Sequence, residues 1–140
     1  MRVLLDLNVL MDFLLKRQPW CIEADAIWNA TNEGRLTSLV SAASLTTVFY
    51  LARKAGPAEF ALNAVRLTIE TLEVVPVDLE TVSLALTMSG KDFEDNVQIA
   101  SAVRSDVAAI ITRNPADFAD SPLPIMSPSE LLEAIDGWGR

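Results

Sequence analysis

Acidic residues lie beside three apolar segments of this chain, and they are the side chains best suited to chemistry. Asp6 directly follows the apolar run 3–5. Asp117 lies in the polar loop after a second apolar run, 107–111, and Asp95 lies in the first turn of a predicted helix. In open parallel sheets, ligands bind in the crevice outside the carboxyl ends of the strands. We therefore expect these three carboxylates to converge at one edge of a sheet.

Other oxygen-bearing side chains accompany these acids. Asn8 follows Asp6, Asp92 and Glu94 precede Asp95, and Asn114 precedes Asp117. Clusters that offer only oxygen ligands select hard divalent cations, Mg²⁺ or Mn²⁺. A metal ion held by two or three carboxylates lowers the pKa of a bound water, orients it for in-line attack on phosphorus and stabilises the developing oxyanion.

The composition excludes several other chemistries. Histidine is absent, which removes the usual general base, the Ser-His-Asp and Cys-His arrangements and every imidazole-ligated metal site. The single cysteine, Cys21, allows neither an intramolecular disulfide nor a thiolate zinc site, and we expect it to be a buried apolar residue. The net charge of −8 produces an electrostatic field that repels a polyanion. An enzyme acting on nucleic acid would therefore need bound cations to neutralise its carboxylates.

Short apolar runs alternate with amphipathic segments along the chain. This order predicts a three-layer α/β/α fold in a single domain, 1–140, with a central parallel sheet of four or five short strands flanked by helices. The predicted strands are 3–5, 36–40, 73–77, 107–111 and 124–126. The predicted helices begin at or after Asn8, Pro19, Ser41, Pro57, Asp78, Asp92 and Ser127.

Ordinary structural roles compete with the functional ones. Asp92 alone is better explained as a helix N-cap and Asp12 as a solvent-facing side chain, whereas Asp117, a candidate catalytic residue and metal ligand, has the alternative role of satisfying its own turn. Asp6 is harder to explain by a structural role, because an unpaired carboxylate at the end of a buried strand costs several kcal/mol unless something neutralises it.

Three segments resemble the PIN domain family, and especially the VapC-type toxins of bacterial toxin–antitoxin pairs. They are L-L-D-L-N-V-L-M-D, D-F-E-D-N-V-Q-I-A-S-A and I-I-T-R-N-P-A-D-F, in that order and spacing. The resemblance implies a metal-dependent ribonuclease for single-stranded RNA, commonly homodimeric and often blocked by an antitoxin.

The resemblance also assigns roles to single residues. Asp6 matches the first metal-binding acid, with Asn8 its usual neighbour, and Asp95 matches the acid that opens the later helix. The region that orients the site or its waters matches Thr112, Asn114 and Asp117.

Two positions depart from the pattern of the family. Leu7 stands where a threonine or serine is usual, and Thr47 stands where the second acid, usually a glutamate, is expected. Either Asp92 or Glu94 compensates, or Thr47 holds a metal-bound water, or the domain is a catalytically weak or inactive module that binds RNA or protein.

Two further families are weaker alternatives. D-L-N-V-L echoes the nucleophile motif of haloacid-dehalogenase-like phosphatases, but Asn8 stands where those enzymes need an acid. A receiver domain needs an acidic pair before its phosphorylated aspartate, which this chain lacks.

The sequence also indicates where the protein is located and which surface residues could bind phosphate or a protein partner. No apolar run reaches the length of a membrane span, and we expect a soluble, cytoplasmic protein. The bases that could bind phosphate are Arg53, Lys54, Lys91 and Arg113. The aromatic residues that could form a dimer or antitoxin surface, if they are not core, are Trp20, Trp28, Phe49, Tyr50 and Phe60.

Overall fold

A computed structural model describes residues 1–90 and 92–138, and these residues form a parallel sheet with helices on both faces. The strands are β1 (Arg2–Leu5), β2 (Thr37–Ser41), β3 (Glu73–Val75), β4 (Ala109–Ile111) and β5 (Ile125–Met126). The helices are α1 (Leu7–Leu14), α2 (Cys21–Asn32), α3 (Ser44–Ala55), α4 (Ala58–Thr71), α5 (Leu79–Leu86), α6 (Phe93–Val103) and α7 (Pro128–Trp138). A short 3₁₀ helix, Pro115–Phe118, follows β4.

The strand order is β3-β2-β1-β4-β5, and all four pairings are parallel. This confirms the predicted central parallel sheet. Strand β1 lies in the middle, with Leu4 in register with Leu39 of β2 and Ile110 of β4. Since the chain leaves β1 at Asp6, that residue stands at the centre of the carboxyl edge of the sheet.

The two faces of the sheet are covered by different cores, as a fold of three layers requires. Val3 and Leu5 of β1 pack in the core beneath α1, α2, α3, α4 and α7. Leu4, between them, points to the other face and packs with Ile99 of α6 and with Phe118. This alternation along a fully buried strand explains why the run 3–5 has no polar break.

Most predicted helix starts agree with the structure, and the differences have local causes. The carboxylates of Asp78 and Asp92 accept hydrogen bonds from the N–H groups of Thr81 and Asp95, so both residues are N-caps as predicted. The predicted capping box also forms, because Ser127 and Glu130 bond to each other's backbone N–H groups.

Several predicted helix starts and strand ends are displaced: α1 begins at Leu7 rather than Asn8, and β1, β2 and β5 each differ by one residue from their predicted ranges. Ser41 does not cap a helix: it is the last residue of β2, and its hydroxyl accepts a hydrogen bond from Ser101. Helix α2 begins at Cys21, not Pro19. Strand β3 stops at Val75 because Pro76 has no N–H to continue the ladder, and β4 is shorter than the apolar run that contains it. None of these shifts moves the carboxyl ends of β1 and β4.

In the described ranges, no helix combines the length and apolar character needed to cross a membrane.

Candidate active site at the carboxyl edge of the sheet

Asp6 is the buried centre of the site. Its side chain is 3% exposed, and its two oxygens accept hydrogen bonds from Thr112 (Oγ1–Oδ2, 2.9 Å) and Gln98 (Nε2–Oδ1, 3.2 Å). Burial raises the pKa of the Asp6 carboxyl, and the bonds from Thr112, Gln98 and nearby backbone N–H groups act in the opposite direction. All of these partners are neutral, so the negative charge of Asp6 is solvated by dipoles alone.

Asp95 reaches the same place from the first turn of α6. Its Oδ1 accepts a longer hydrogen bond from Nε2 of Gln98, at 3.4 Å, so one amide group bridges Asp95 and Asp6. Burial and the charges of Asp92, Asp6, Asp117 and Glu94 raise the pKa of Asp95 to about 7. The prediction that Asp95 converges with Asp6 agrees with this geometry.

Glu94 brings a third carboxylate towards the pair. It is half-buried, and its Oε2 accepts a hydrogen bond from Oγ1 of Thr47 on α3, at 3.3 Å. Burial raises the pKa of Glu94, and the nearby charges of Asp92 and Asp6 raise it further, against the bond from Thr47. The position on α3 that lacks an acid therefore contacts an acid supplied by α6.

Asp117 and Asp92 lie at the exposed rim of the site. Both line a cavity of about 280 Å³, together with Asp95 and Asp120. The carboxylate of Asp92 is occupied as the α6 N-cap. Asp117 acts on Asp95 through its charge, and its backbone N–H bonds to the carbonyl of Asn114 in the turn, as expected of a turn residue.

Three predicted orienting residues have different surroundings. Thr112 is fully buried, donates to Asp6 and accepts from the backbone N–H of Asn114 at 3.0 Å, so its hydroxyl is held in one orientation. In the described part of the chain, the side-chain amide of Asn114 has no hydrogen bond to a carboxylate. The side-chain oxygen of Asn8 accepts a hydrogen bond from Nη1 of Arg17 at 3.4 Å, the same nitrogen that approaches the carboxylate of Asp12.

Asp12 is buried, and the expectation that it faces solvent was wrong. Its side chain is 2% exposed and forms two hydrogen bonds with the guanidinium of Arg113, at 2.9 and 3.3 Å. Arg17 approaches the same carboxylate to 3.7 Å, and Arg113 also stacks on the ring of Trp20. Arg113 lies directly after Thr112, so this ion pair ties α1 to the loop that supports Asp6.

Arg53 and Lys54, two of the other predicted phosphate-binding bases, lie outside this cluster. Arg53 bonds to the carbonyl of Gly56, Lys54 lies over the ring of Tyr50, and Lys91 lies outside the described residues. A larger cavity, of about 430 Å³, runs along the edge strand β3 from Glu73 to Val75. Its arginines, Arg2 and Arg104, are already paired with acids.

Gln98 is the residue of the site that sequence reasoning did not select. It is 2% exposed and lies between Val97 and Ile99, both of which are buried. The feature that could have identified it is a glutamine one helical turn after Asp95, inside an otherwise apolar stretch.

The donor set fits a divalent cation in its chemistry but is not a preassembled metal cage. In residues 1–90 and 92–138, no lysine or arginine forms an ion pair with Asp6, Glu94 or Asp95. Three partly or wholly buried carboxylates thus lie in one region without a compensating cation from the described residues, which is costly unless they are protonated or bind one. Among the same residues, no three acidic side chains converge closely enough to form a complete metal site as they stand.

Comparison with known structures defines the class of fold. VapC20 of Mycobacterium tuberculosis, a toxin that cleaves the sarcin–ricin loop, has a TM-score of 0.69 at 12% identity over 84% of this chain and 94% of that one. A toxin–antitoxin complex from Klebsiella pneumoniae has a TM-score of 0.67 at 21% identity, over 90% of this chain and 97% of that one. DNA-bound VapBC of Salmonella typhimurium has a TM-score of 0.66 at 21% identity, over 91% of this chain and 98% of that one. These likenesses show a shared three-layer α/β fold.

The sequence itself identifies the family. Residues 2–116 match the PIN domain family model, whereas no curated protein sequence matches significantly. The chain therefore belongs to the PIN domain family, as its three motifs suggested. Membership of this family argues against the phosphatase and receiver alternatives.

Proposed function

We propose that this chain is a Mg²⁺- or Mn²⁺-dependent endoribonuclease that cleaves single-stranded RNA by water attack on a phosphodiester. The observation that carries the proposal is the approach of Asp6, Glu94 and Asp95 at the carboxyl edge without a cation from the described residues. Without histidine in the chain, a metal ion is the most economical means of activating water.

The residues of the site take distinct roles in this proposal. Asp6 and Asp95 hold the cation, and Glu94 replaces the acid that is missing at Thr47. A divalent cation bound there supplies a Lewis acid for the attacking water and for the charge that develops on phosphate. Thr112 fixes the orientation of the Asp6 carboxylate through its hydroxyl. Asp117 and Asp92, at the rim, extend the acidic surface towards the cavity, and Asn8 and Asn114 act from the first turn of α1 and from the loop after β4.

We also propose that the protein is the toxin of a toxin–antitoxin pair and that it forms a homodimer. The Klebsiella pneumoniae structure of similar fold is a toxin–antitoxin complex. Among the aromatic residues considered for a partner surface, Trp20, Tyr50 and Phe60 are exposed, whereas Trp28 is buried. Copurification with the product of an adjacent small gene, and the mass of the purified chain in solution, test these two partners separately.

The direct test is cleavage of labelled single-stranded RNA with Mn²⁺. We expect the wild type to cut, and Asp6→Asn and Asp95→Asn to lose the activity while remaining folded. Asp106→Asn is the matched control, because Asp106 is exposed at the opposite edge of the sheet and its positive φ of 54° suits asparagine. Equal cleavage by wild type and Asp6→Asn would overturn the assignment of the site.

A second candidate is a PIN-fold module that binds RNA or a protein partner without cutting. Two observations favour it: Thr47 stands where the second acid is expected, and in the described ranges no three-carboxylate cluster is complete. Retention of labelled RNA by wild type without any cleavage in Mn²⁺ or Mg²⁺ would establish this function instead.

A further inference from the structure

Gln98 has an orientation that its surroundings determine. Its side chain is buried on α6, and Oε1 accepts a hydrogen bond from the backbone N–H of Leu7 at 2.9 Å. A backbone N–H can only donate, so the amide oxygen of Gln98 must face Leu7. The amide nitrogen therefore faces the other way, towards the carboxylates of Asp6 and Asp95.

That nitrogen is the link between two carboxylates from different elements. Nε2 of Gln98 lies 3.2 Å from Oδ1 of Asp6 and 3.4 Å from Oδ1 of Asp95. Asp6 follows β1, whereas Asp95 belongs to α6, so no local backbone geometry fixes the separation of their oxygens. The bridging amide supplies that constraint, and the bond to Leu7 anchors it to the first residue of α1.

We propose that Gln98 is the positioning residue of the cation site: it sets the separation of the Asp6 and Asp95 carboxylates and thereby the affinity for one divalent cation. The proposal rests on the metal site of the proposed function but not on RNA cleavage. A neutral amide attracts both carboxylates without neutralising them, so their charge remains available to a cation. Partners that orient metal-ligating groups in this way typically change metal affinity 10–100-fold when they are removed.

Two substitutions at this position have opposite expected effects. Gln98→Met keeps the length of the side chain but removes the donor, so we expect Mn²⁺ binding about tenfold weaker. Gln98→Glu keeps the acceptor for Leu7 and replaces the donor with a third carboxylate oxygen. Because added ligand charge strengthens binding of hard cations, Gln98→Glu should bind Mn²⁺ more tightly than wild type. It should also be less stable than wild type in a chelator, because a further acid then lies beside Asp6 and Asp95.

The experiment measures Mn²⁺ affinity of the folded full chain by calorimetry and by the electron paramagnetic resonance of free Mn²⁺, with circular dichroism to verify folding. Gln18→Glu is the matched control, because it makes the same change of charge at an exposed residue. We expect its affinity to equal that of wild type. Opposite shifts for Gln98→Met and Gln98→Glu support the proposal, since a purely packing role would change stability without moving affinity in opposite directions.

Several results would overturn the proposal. Equal Mn²⁺ affinity in wild type and both Gln98 variants is one, and absence of Mn²⁺ binding by wild type is another. If Gln98→Met fails to fold, Gln98→Glu decides alone: tighter binding, or folding restored by Mn²⁺, supports the proposal, and weaker or unchanged binding contradicts it. The two Gln98 variants could show opposite shifts in Mn²⁺ affinity while the wild-type protein cuts no RNA. That result would support the role of Gln98 and refute the proposed ribonuclease activity.

Discussion

The hydroxyl of Thr47 donates a hydrogen bond to Oε2 of Glu94 over 3.3 Å, which joins α3 to the first turn of α6. The sequence lacks an acid at position 47, yet the fold brings a carboxylate to that side chain from another helix. This contact supports the proposal that Glu94 on α6 supplies the second acid, which is missing from α3.

Glu94→Gln should therefore weaken Mn²⁺-dependent RNA cleavage as strongly as the loss of a metal ligand would. The substituted side chain keeps the shape of glutamate but lacks its charge. Thr47→Val should have a smaller effect, about tenfold, because it removes a hydrogen bond that orients Glu94 rather than a ligand. Initial rates of cleavage at fixed Mn²⁺ check both.

Thr46→Val is the control for these variants, because Thr46 is exposed and its hydroxyl bonds only to the nearby carbonyl of Ala43. If Glu94→Gln cleaves RNA at the wild-type rate, Glu94 is not a functional residue of the site. The acid that is missing at Thr47 then has no replacement in Glu94.

Mn²⁺ should raise the melting temperature of the wild type. A ligand at a hundred times its Kd stabilises the folded state by about 2.7 kcal/mol, which for a chain of this size is a shift of roughly 10 °C. Asp95→Asn should shift much less, and Asp106→Asn should shift as wild type does. Equal shifts in wild type and Asp95→Asn would show that Asp95 is not a ligand.

In a chelator, stability should fall as the pH rises from about 4 to about 7. The pKa of Asp95 is raised from 3.8 to about 7, so in this interval the folded chain binds a proton that the unfolded chain has lost. The raised pKa values of Asp6 and Glu94 act in the same direction. Denaturant unfolding in EDTA at a series of pH values measures the effect.

Asp95→Asn should flatten this decline, because the substituted side chain cannot titrate. The opposite trend should appear below pH 4, where Asp78, whose pKa is lowered to about 2 by Thr81 and Arg104, loses its bonds on protonation. A decline between pH 4 and 7 that is identical in wild type and Asp95→Asn would contradict the assignment.

Asp12→Asn should destabilise the fold by about 3 kcal/mol, the usual consequence of removing one partner of a buried ion pair. Asp12 is buried beneath Arg113, which would keep its charge without the carboxylate. Cleavage should also fall in this variant, because Arg113 adjoins Thr112 and the Asp6 carboxylate depends on that hydroxyl. Urea unfolding and cleavage rates measure the two effects.

Asp25→Asn provides the comparison, since Asp25 pairs with Lys16 at the exposed surface, where such pairs contribute about 0–1 kcal/mol. If Asp12→Asn loses no more stability than Asp25→Asn, the buried pair does not anchor the loop.

The sequence alone predicts much of the fold because the determining features are local. An uninterrupted apolar run followed by Asp6 fixes β1 and the carboxyl end of that strand, and helix caps at Asp78, Asp92 and Ser127 form as their spacing indicates. Strand ends are less well predicted, because a ladder extends only where a neighbouring strand pairs, as in β4, which begins at Ala109 although its apolar run begins at Val107.

What the sequence determined by itself is therefore the fold and the carboxyl edge to which Asp6, Asp95 and Asp117 belong. Only the tertiary structure decided which other side chains reach that edge. Glu94 and Gln98 are four residues apart and so share one face of α6, and the packing of that helix on the sheet decides that this face meets Thr47 and Asp6. Asp12 is buried for the same reason: its partner Arg113 lies far away in sequence, and only the folded chain brings the two charges together.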